Sequence, residues 1–308
     1  MLIRSCLAVA LMSFSVPAVA WNDRGHMTVA AVAWDQLTPR ARNETSRLLR
    51  MNPAYHAWIS NVPSERRDQI AFIRAATWPD SIRSIYRDDG FDPLEPGASQ
   101  NVGYADRLVH RYWHYKDIAF SPDGTNVKEP PSVNAVSRIQ VFNEALADPT
   151  TSDDIRSFDL SWLLHLVGDI HQPMHSAERY TSSFRHGDSG GNGVKICMAA
   201  ALSCGTGDDL HKFWDGAIGN SRDPMSAIIK ARTFVVPEAN KVMIDDPEVW
   251  AEESFELARS YAYAAPIGAS RKTYKLTVEY QRNAGSIAEQ RVALAGYRLA
   301  HLLNGLYL

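Results

Sequence analysis

Residues 165–175 read His-Leu-Val-Gly-Asp-Ile-His-Gln-Pro-Met-His. His165 and Asp169 stand four apart. On an α-helix that spacing stacks an imidazole and a carboxylate on one face, within reach of one metal ion. Pro173 is expected to kink or end that helix and turn the chain before His175. Residues 210–215, Leu-His-Lys-Phe-Trp-Asp, repeat the spacing with His211 and Asp215. A buried His–Asp pair that merely braces a core has the same signature, so one pair decides nothing. Two pairs beside a kinked His175 favour metal. Imidazole with carboxylate and no thiolate is the donor set of hydrolytic zinc sites.

The flanking sequence is helical nearly throughout. Thr38-Pro39 starts a helix, with Thr as N-cap and Pro in the first turn. Ser132 opens a segment with Val133, Val136, Ile139 and Phe142 at helical spacing. Ala288, Val292, Ala295, Leu299 and Leu302 repeat by four and three, with Gly305 as the expected C-cap. His301, within this stripe, reads as structural or exposed. Residues 86–103, rich in Asp, Gly and Pro, read as a long surface loop. Residues 176–208, rich in Ser and Gly, read as a second loop that can carry a small hairpin. No repeat and no interdomain linker is visible. The expected fold class is all-α, a mainly helical single domain with long loops and at most a small β-hairpin.

The chain has 308 residues, a net charge of −3, 22% charged residues and 45% hydrophobic ones. This composition excludes disordered, collagenous and low-complexity classes. It also excludes a basic nucleic-acid clamp, so any attraction for phosphate must come from something other than side-chain charge. The first twenty residues hold Arg4, an apolar stretch with Cys6 early in it, and Ala18-Val19-Ala20. They read as a secretory signal cleaved after Ala20, too short for a membrane span. The expected product is residues 21–308, secreted or periplasmic, with no membrane anchor and beginning at Trp21. The two cysteines left, Cys197 and Cys204, are expected to form a short-loop disulfide in an oxidising compartment. Asn43-Glu44-Thr45 is a glycosylation sequon in a eukaryotic host.

Together, Trp21, WPDSIR (78–83), WHYKD (113–117), HLVGDIHQPMH (165–175), GGN (190–192) and LHKFWD (210–215) resemble, in order and spacing, the zinc-dependent single-strand nucleases. These are the type I nucleases and 3′-nucleotidases, related in fold to zinc-dependent phospholipase C. The resemblance implies three zinc ions. One takes Asp80, His114, His165 and Asp169. A second takes the amine and carbonyl of Trp21 with His26 and shares Asp169. The third takes His175, His211 and Asp215. It further implies that Arg83 orients phosphate, Tyr115 stacks on a base and Asp117 recognises that base. Asn192 matches another active-site position. His171 reads as supporting the ligands from behind, and His56, His110 and His186 have no assigned role.

The activity so implied is hydrolysis of single-stranded RNA and DNA to 5′-phosphorylated products, with 3′-nucleotidase activity. The attack is in line, by hydroxide generated at the metal pair that Asp169 bridges. Asp169, Arg83 and Asn192 are the implied catalytic residues, and the expected enzyme is a monomer. Three zinc ions also supply the positive charge that the side chains lack. A zinc phospholipase C is disfavoured because that family ends its third pair with Glu where Asp215 stands. A non-catalytic zinc protein is disfavoured because structural sites carry four protein ligands and the third site carries three.

Overall fold

The computed structural model describes residues 21–90, 97–204 and 207–307. Their helices are α1 (Asp23–Gln36), α2 (Pro39–Leu49), α3 (Tyr55–Trp58), α4 (Arg67–Ala75), α5 (Trp78–Ser81), α6 (Ala135–Ala147), α7 (Asp153–Asp169), α8 (Leu210–Asp215), α9 (Pro224–Ala231), α10 (Ala239–Val242), α11 (Pro247–Leu257) and α12 (Val278–Leu306). The molecule is mainly helical, as the patterning implied.

α7 is the axis of the fold. Every residue from Ser157 to Asp169 is buried, so this helix has no solvent face along its last three turns. Ser152 caps it by accepting from the N–H of Ile155, and Asp153 and Asp154 sit where the helix dipole favours acids. It ends at Asp169. The chain then turns through Gln172 into a 3-10 segment, Pro173–Ser176. Pro173 therefore acts as the expected stop.

Around α7 lie α1, α2, α4, α5, α6 and α12. The side chains between them, among them Phe72, Phe158, Trp162, Leu163, Val292 and Leu299, are buried. Each contributes about 1.5–3 kcal/mol through removal of apolar surface from water. α1 and α12 approach closely because Gly296 has no side chain; a Cβ there would lie 2.5 Å from Val32 Cβ. α12 runs through Gly305, so that glycine does not cap it. α6 starts later than Ser132. Asn134 is its cap, in a reciprocal capping box with Ser137. Thr38 caps α2 as expected, accepting from the N–H of Ala41.

Among the described residues, the strands are two residues long and pair in twos, beside three isolated bridges. β1 (Ala119–Phe120) pairs in parallel with β2 (Glu178–Arg179), Ala119 opposite Glu178. β3 (Ile196–Cys197) pairs in parallel with β4 (Tyr274–Lys275). These are long-range clips. A parallel pair cannot be closed by a tight turn. Within residues 176–208 a separate antiparallel bridge, Thr181 with Phe184, closes a minimal hairpin. A second core cluster, with Met174, Phe184, Val194, Leu210, Trp214 and Tyr280, lies under that loop. Cys197 and Cys204 are disulfide-bonded, as expected. Among the described residues, no helix is long and apolar enough to cross a membrane.

Candidate metal centre

Three elements deliver ligands to the end of α7. Its last turn offers His165 and Asp169, i and i+4. α1 offers His26 on its first turn. The 3-10 turn Arg111–His114 offers His114, and α5 offers Asp80. Three groups of side chains bring ligand atoms within 4.8 Å of one another. These are Asp80, His114 and His165; His26, His165 and Asp169; and His175, His211 and Asp215.

Asp169 is fully buried and its two oxygens face different groups. Oδ2 lies 3.1 Å from His114 Nδ1 and 3.1 Å from His165 Nε2. Oδ1 lies 3.3 Å from His26 Nε2. The His26 and His165 rings stack at 3.8 Å. Gly168 permits this, because a Cβ on it would come within 3.0 Å of His26 Nδ1. Burial works against charge on Asp169, but His165 and His175 outweigh it and hold its carboxyl well below the usual range.

Hydrogen-bond accounting tests whether these groups suit a cation. His165 Nδ1 lies 2.7 Å from the carbonyl of Ala76, His175 Nδ1 2.7 Å from that of His114, and His211 Nδ1 2.7 Å from that of Gly190. A carbonyl only accepts, so each Nδ1 carries a proton, and in the neutral ring Nε2 presents a lone pair. His175 Nε2 and His211 Nε2 nonetheless lie 3.1 Å apart. Two facing lone pairs repel unless a positive charge sits between them. Burial lowers His175 to about 4, so His175 itself does not take up a second proton at neutral pH. Asp80 Oδ2, both ring nitrogens of His26 and Asp169 Oδ1 are buried without a hydrogen bond. Such atoms are costly unless something coordinates them. The donor set and its orphaned atoms fit divalent metal.

Trp21 is wholly buried against this centre. Its indole N–H donates to the carbonyl of Gly168 at 2.9 Å, and Gly25 lacks the Cβ that would strike it. The next N–H, of Asn22, donates to the carbonyl of Asp215 at 3.3 Å. The start of α1 thus ties the end of α7 to the end of α8.

Comparison with known proteins decides the family. The S1/P1 nuclease family model matches residues 21–307. The chain belongs to the S1/P1 nuclease family. It is 27% identical to nuclease S1 of Aspergillus oryzae, with 97% of this chain and 96% of that protein aligned. It is 25% identical to endonuclease 3 of Arabidopsis thaliana (94% and 90%) and 22% identical to nuclease P1 of Penicillium citrinum (93% and 98%). The chain is thus a family hydrolase, an endonuclease by homology.

The other residues singled out in this S1/P1-family chain lie around the centre. Arg83 is ion-paired to Asp80 Oδ1 at 2.8 Å, beside the first group. Tyr115 and Asp117 follow His114 directly and are half-buried. Burial and the nearby carboxylates Glu178 and Asp188 push Asp117 well above the carboxylate range. The Asn192 side-chain amide folds back to donate to the carbonyl of Ser189 at 2.6 Å, so it braces the Gly-rich turn. His171 points away from the metal groups. It donates to the carbonyl of Val167 at 2.7 Å and accepts from Arg298 at 3.0 Å. His56 and His186 are exposed, and His301 is half-buried.

Sequence reading missed Gln172, whose amide donates to Asp215 Oδ1 at 2.6 Å while its oxygen accepts from the N–H of Met174. Carbonyls behind the imidazoles are expected from the chemistry, but not which ones: those of Ala76, His114 and Gly190, with that of Gly168 behind Trp21. A backbone carbonyl carries no side-chain signal. Gln172 alone could have been found, as the cap residue before Pro173.

Proposed function

We propose that this chain is an exported phosphodiesterase with three zinc ions. It hydrolyses single-stranded RNA and DNA to 5′-phosphorylated products and also removes phosphate from 3′-nucleotides. In this reading residues 1–20, outside the described residues, are a signal peptide. Residues 21–308 are then the nuclease domain, acting as a monomer outside the cytoplasm. The observation that carries the reading is the divided carboxylate of Asp169, one oxygen toward His114 and His165 and the other toward His26. A bridging carboxylate of that kind suits paired metals in phosphodiester hydrolysis. The family match beginning at Trp21 supports cleavage after Ala20.

Asp80, His114, His165 and Asp169 would hold one zinc. His26, Asp169 and the freed amine and carbonyl of Trp21 would hold a second, and His175, His211 and Asp215 the third. When bound, the ions supply Lewis acidity and a water of lowered pKa. The chain's own groups do the remaining work. Arg83, anchored by Asp80, grips the non-bridging phosphate oxygens, where charge grows in the transition state. Tyr115 stacks on an unpaired base, which selects single strands. Asp117 recognises the edge of that base, and Asn192 adds a polar contact from the turn. Ala76, His114 and Gly190 fix the imidazole tautomers through their carbonyls.

Elemental analysis of the processed protein, paired with hydrolysis of single-stranded DNA, RNA and a 3′-nucleotide before and after chelation, tests this. Three zinc equivalents and loss of all three activities on chelation are expected. One equivalent or fewer, or hydrolysis that survives chelation, ends the proposal. Two extra residues ahead of Trp21 should remove one zinc and most of the activity, because an amide nitrogen is a far poorer ligand than an amine.

A further inference from the structure

Glu178 stands three residues past His175 and is almost wholly buried. Its carboxylate accepts the N–H of Ser189 at 3.0 Å on one oxygen and the N–H of Gly190 at 2.8 Å on the other. Ser189 and Gly190 both have left-handed backbones, φ +56 and +57. Successive turn N–H groups of this sort form a concavity that holds an anion. Ser189 is not glycine, so its conformation costs free energy that these bonds must offset. The surroundings are shaped to admit the acid: a Cβ on Gly187 would lie 1.5 Å from Glu178 Oε1. Gly190, held through its N–H, offers its carbonyl to His211 Nδ1 at 2.7 Å. That bond leaves His211 Nε2 facing His175.

We infer that Glu178 is a positioning residue for the third metal group: its carboxylate sets the Ser189–Gly190 turn, and Gly190 in turn fixes the tautomer and direction of His211. The inference rests on the three-zinc reading above. Asp117 and Asp188 are the charged neighbours of Glu178, and Tyr115, Tyr180 and Tyr263 lie close enough to feel its charge. Burial, with Asp188, pushes Glu178 up to about 7, so the test belongs at pH 8, where the carboxylate predominates.

Glu178→Gln keeps the shape but turns an N–H donor toward a backbone N–H. By competition with a chelator, one of three zinc equivalents should bind about 10–100-fold more weakly, with the other two unchanged. The 15N imidazole signals of His211 in the zinc-loaded protein should shift. The two retained equivalents and an unchanged far-UV spectrum show that the variant is folded. Gly190→Ala leaves the acid in place but brings a methyl 3.3 Å from His211 Nδ1, and should weaken the same single equivalent. A parent that binds three zinc ions while Glu178→Gln matches it overturns this inference alone, as does equal weakening of all three. A parent that binds no zinc defeats the functional reading, and this inference with it.

Discussion

Two buried His–Asp clusters lie within a few residues of each other, and they differ in kind. At His114, His165 and His175, ring nitrogens face other ring nitrogens or carboxylate oxygens that nothing else satisfies. At His110 both nitrogens are satisfied. Nε2 lies 2.7 Å from Asp106 and Nδ1 lies 3.2 Å from Asp89, while the ring stacks flat on Trp113 at 3.6 Å. Burial opposes charge there, but Asp106 and Asp89 outweigh it and raise the pKa of His110. In the second cluster both ring nitrogens already face carboxylates, so nothing there calls for a metal. Asp106 and His110 are four apart, like His165 and Asp169, so spacing does not separate the two. What separates them is whether each nitrogen lone pair and N–H already has its partner.

Removing the carboxylate shared by two metal groups should have the largest effect. Asp169→Asn should weaken two of the three zinc equivalents and lower hydrolysis by more than about 100-fold, the upper range for loss of an outer partner alone. Zinc analysis and initial rates read the result. A variant with full zinc would make Asp169 a core acid like Asp106.

The converse variant, His110→Asn, should keep all three equivalents but cost about 3 kcal/mol of stability, measured by denaturant unfolding, because it strands two buried carboxylates. The pH dependence carries a definite sign. A raised imidazole pKa stabilises fully below the free value of about 6.5, and that stabilisation fades as pH rises through the raised value. The gap between parent and variant should therefore narrow in alkali.

Asp159 is a third kind of buried acid, with no ion pair among the described residues and only the more distant charge of Arg138 acting on it. One oxygen accepts from Asn101 at 2.8 Å and the other has no partner, and burial pushes the group up to about 8. A raised acid pKa favours the fold below the free value of about 3.9 and loses that advantage as pH rises through about 8. Asp159→Asn should remove about 1.4 kcal/mol per pH unit of slope between the free and the raised value. An unchanged slope would mean that the group is ionised in the fold.

The smallest effect is a control. Asn134→Ala breaks the α6 capping box and should cost about 1 kcal/mol, equally with and without zinc, in thermal melts.

Sequence alone determined what depends on neighbours within a turn or so of chain. The stop at Pro173, the Thr38 cap and the stacking of His165 with Asp169 follow from local backbone geometry. Motif order was enough to bring Trp21, Asp80 and His114 into one list. The start of α6 departed from local reading because the reciprocal Asn134–Ser137 capping box outcompetes Ser132, and α12 runs one residue past Gly305. Only the tertiary structure decided that Asp169 divides its oxygens between two groups, that both ring nitrogens of His110 face carboxylates, and that Glu178 reaches His211 through a turn. Each depends on hydrogen-bond partners whose positions follow from packing, several of them backbone groups present at every residue and so invisible in a string of side chains.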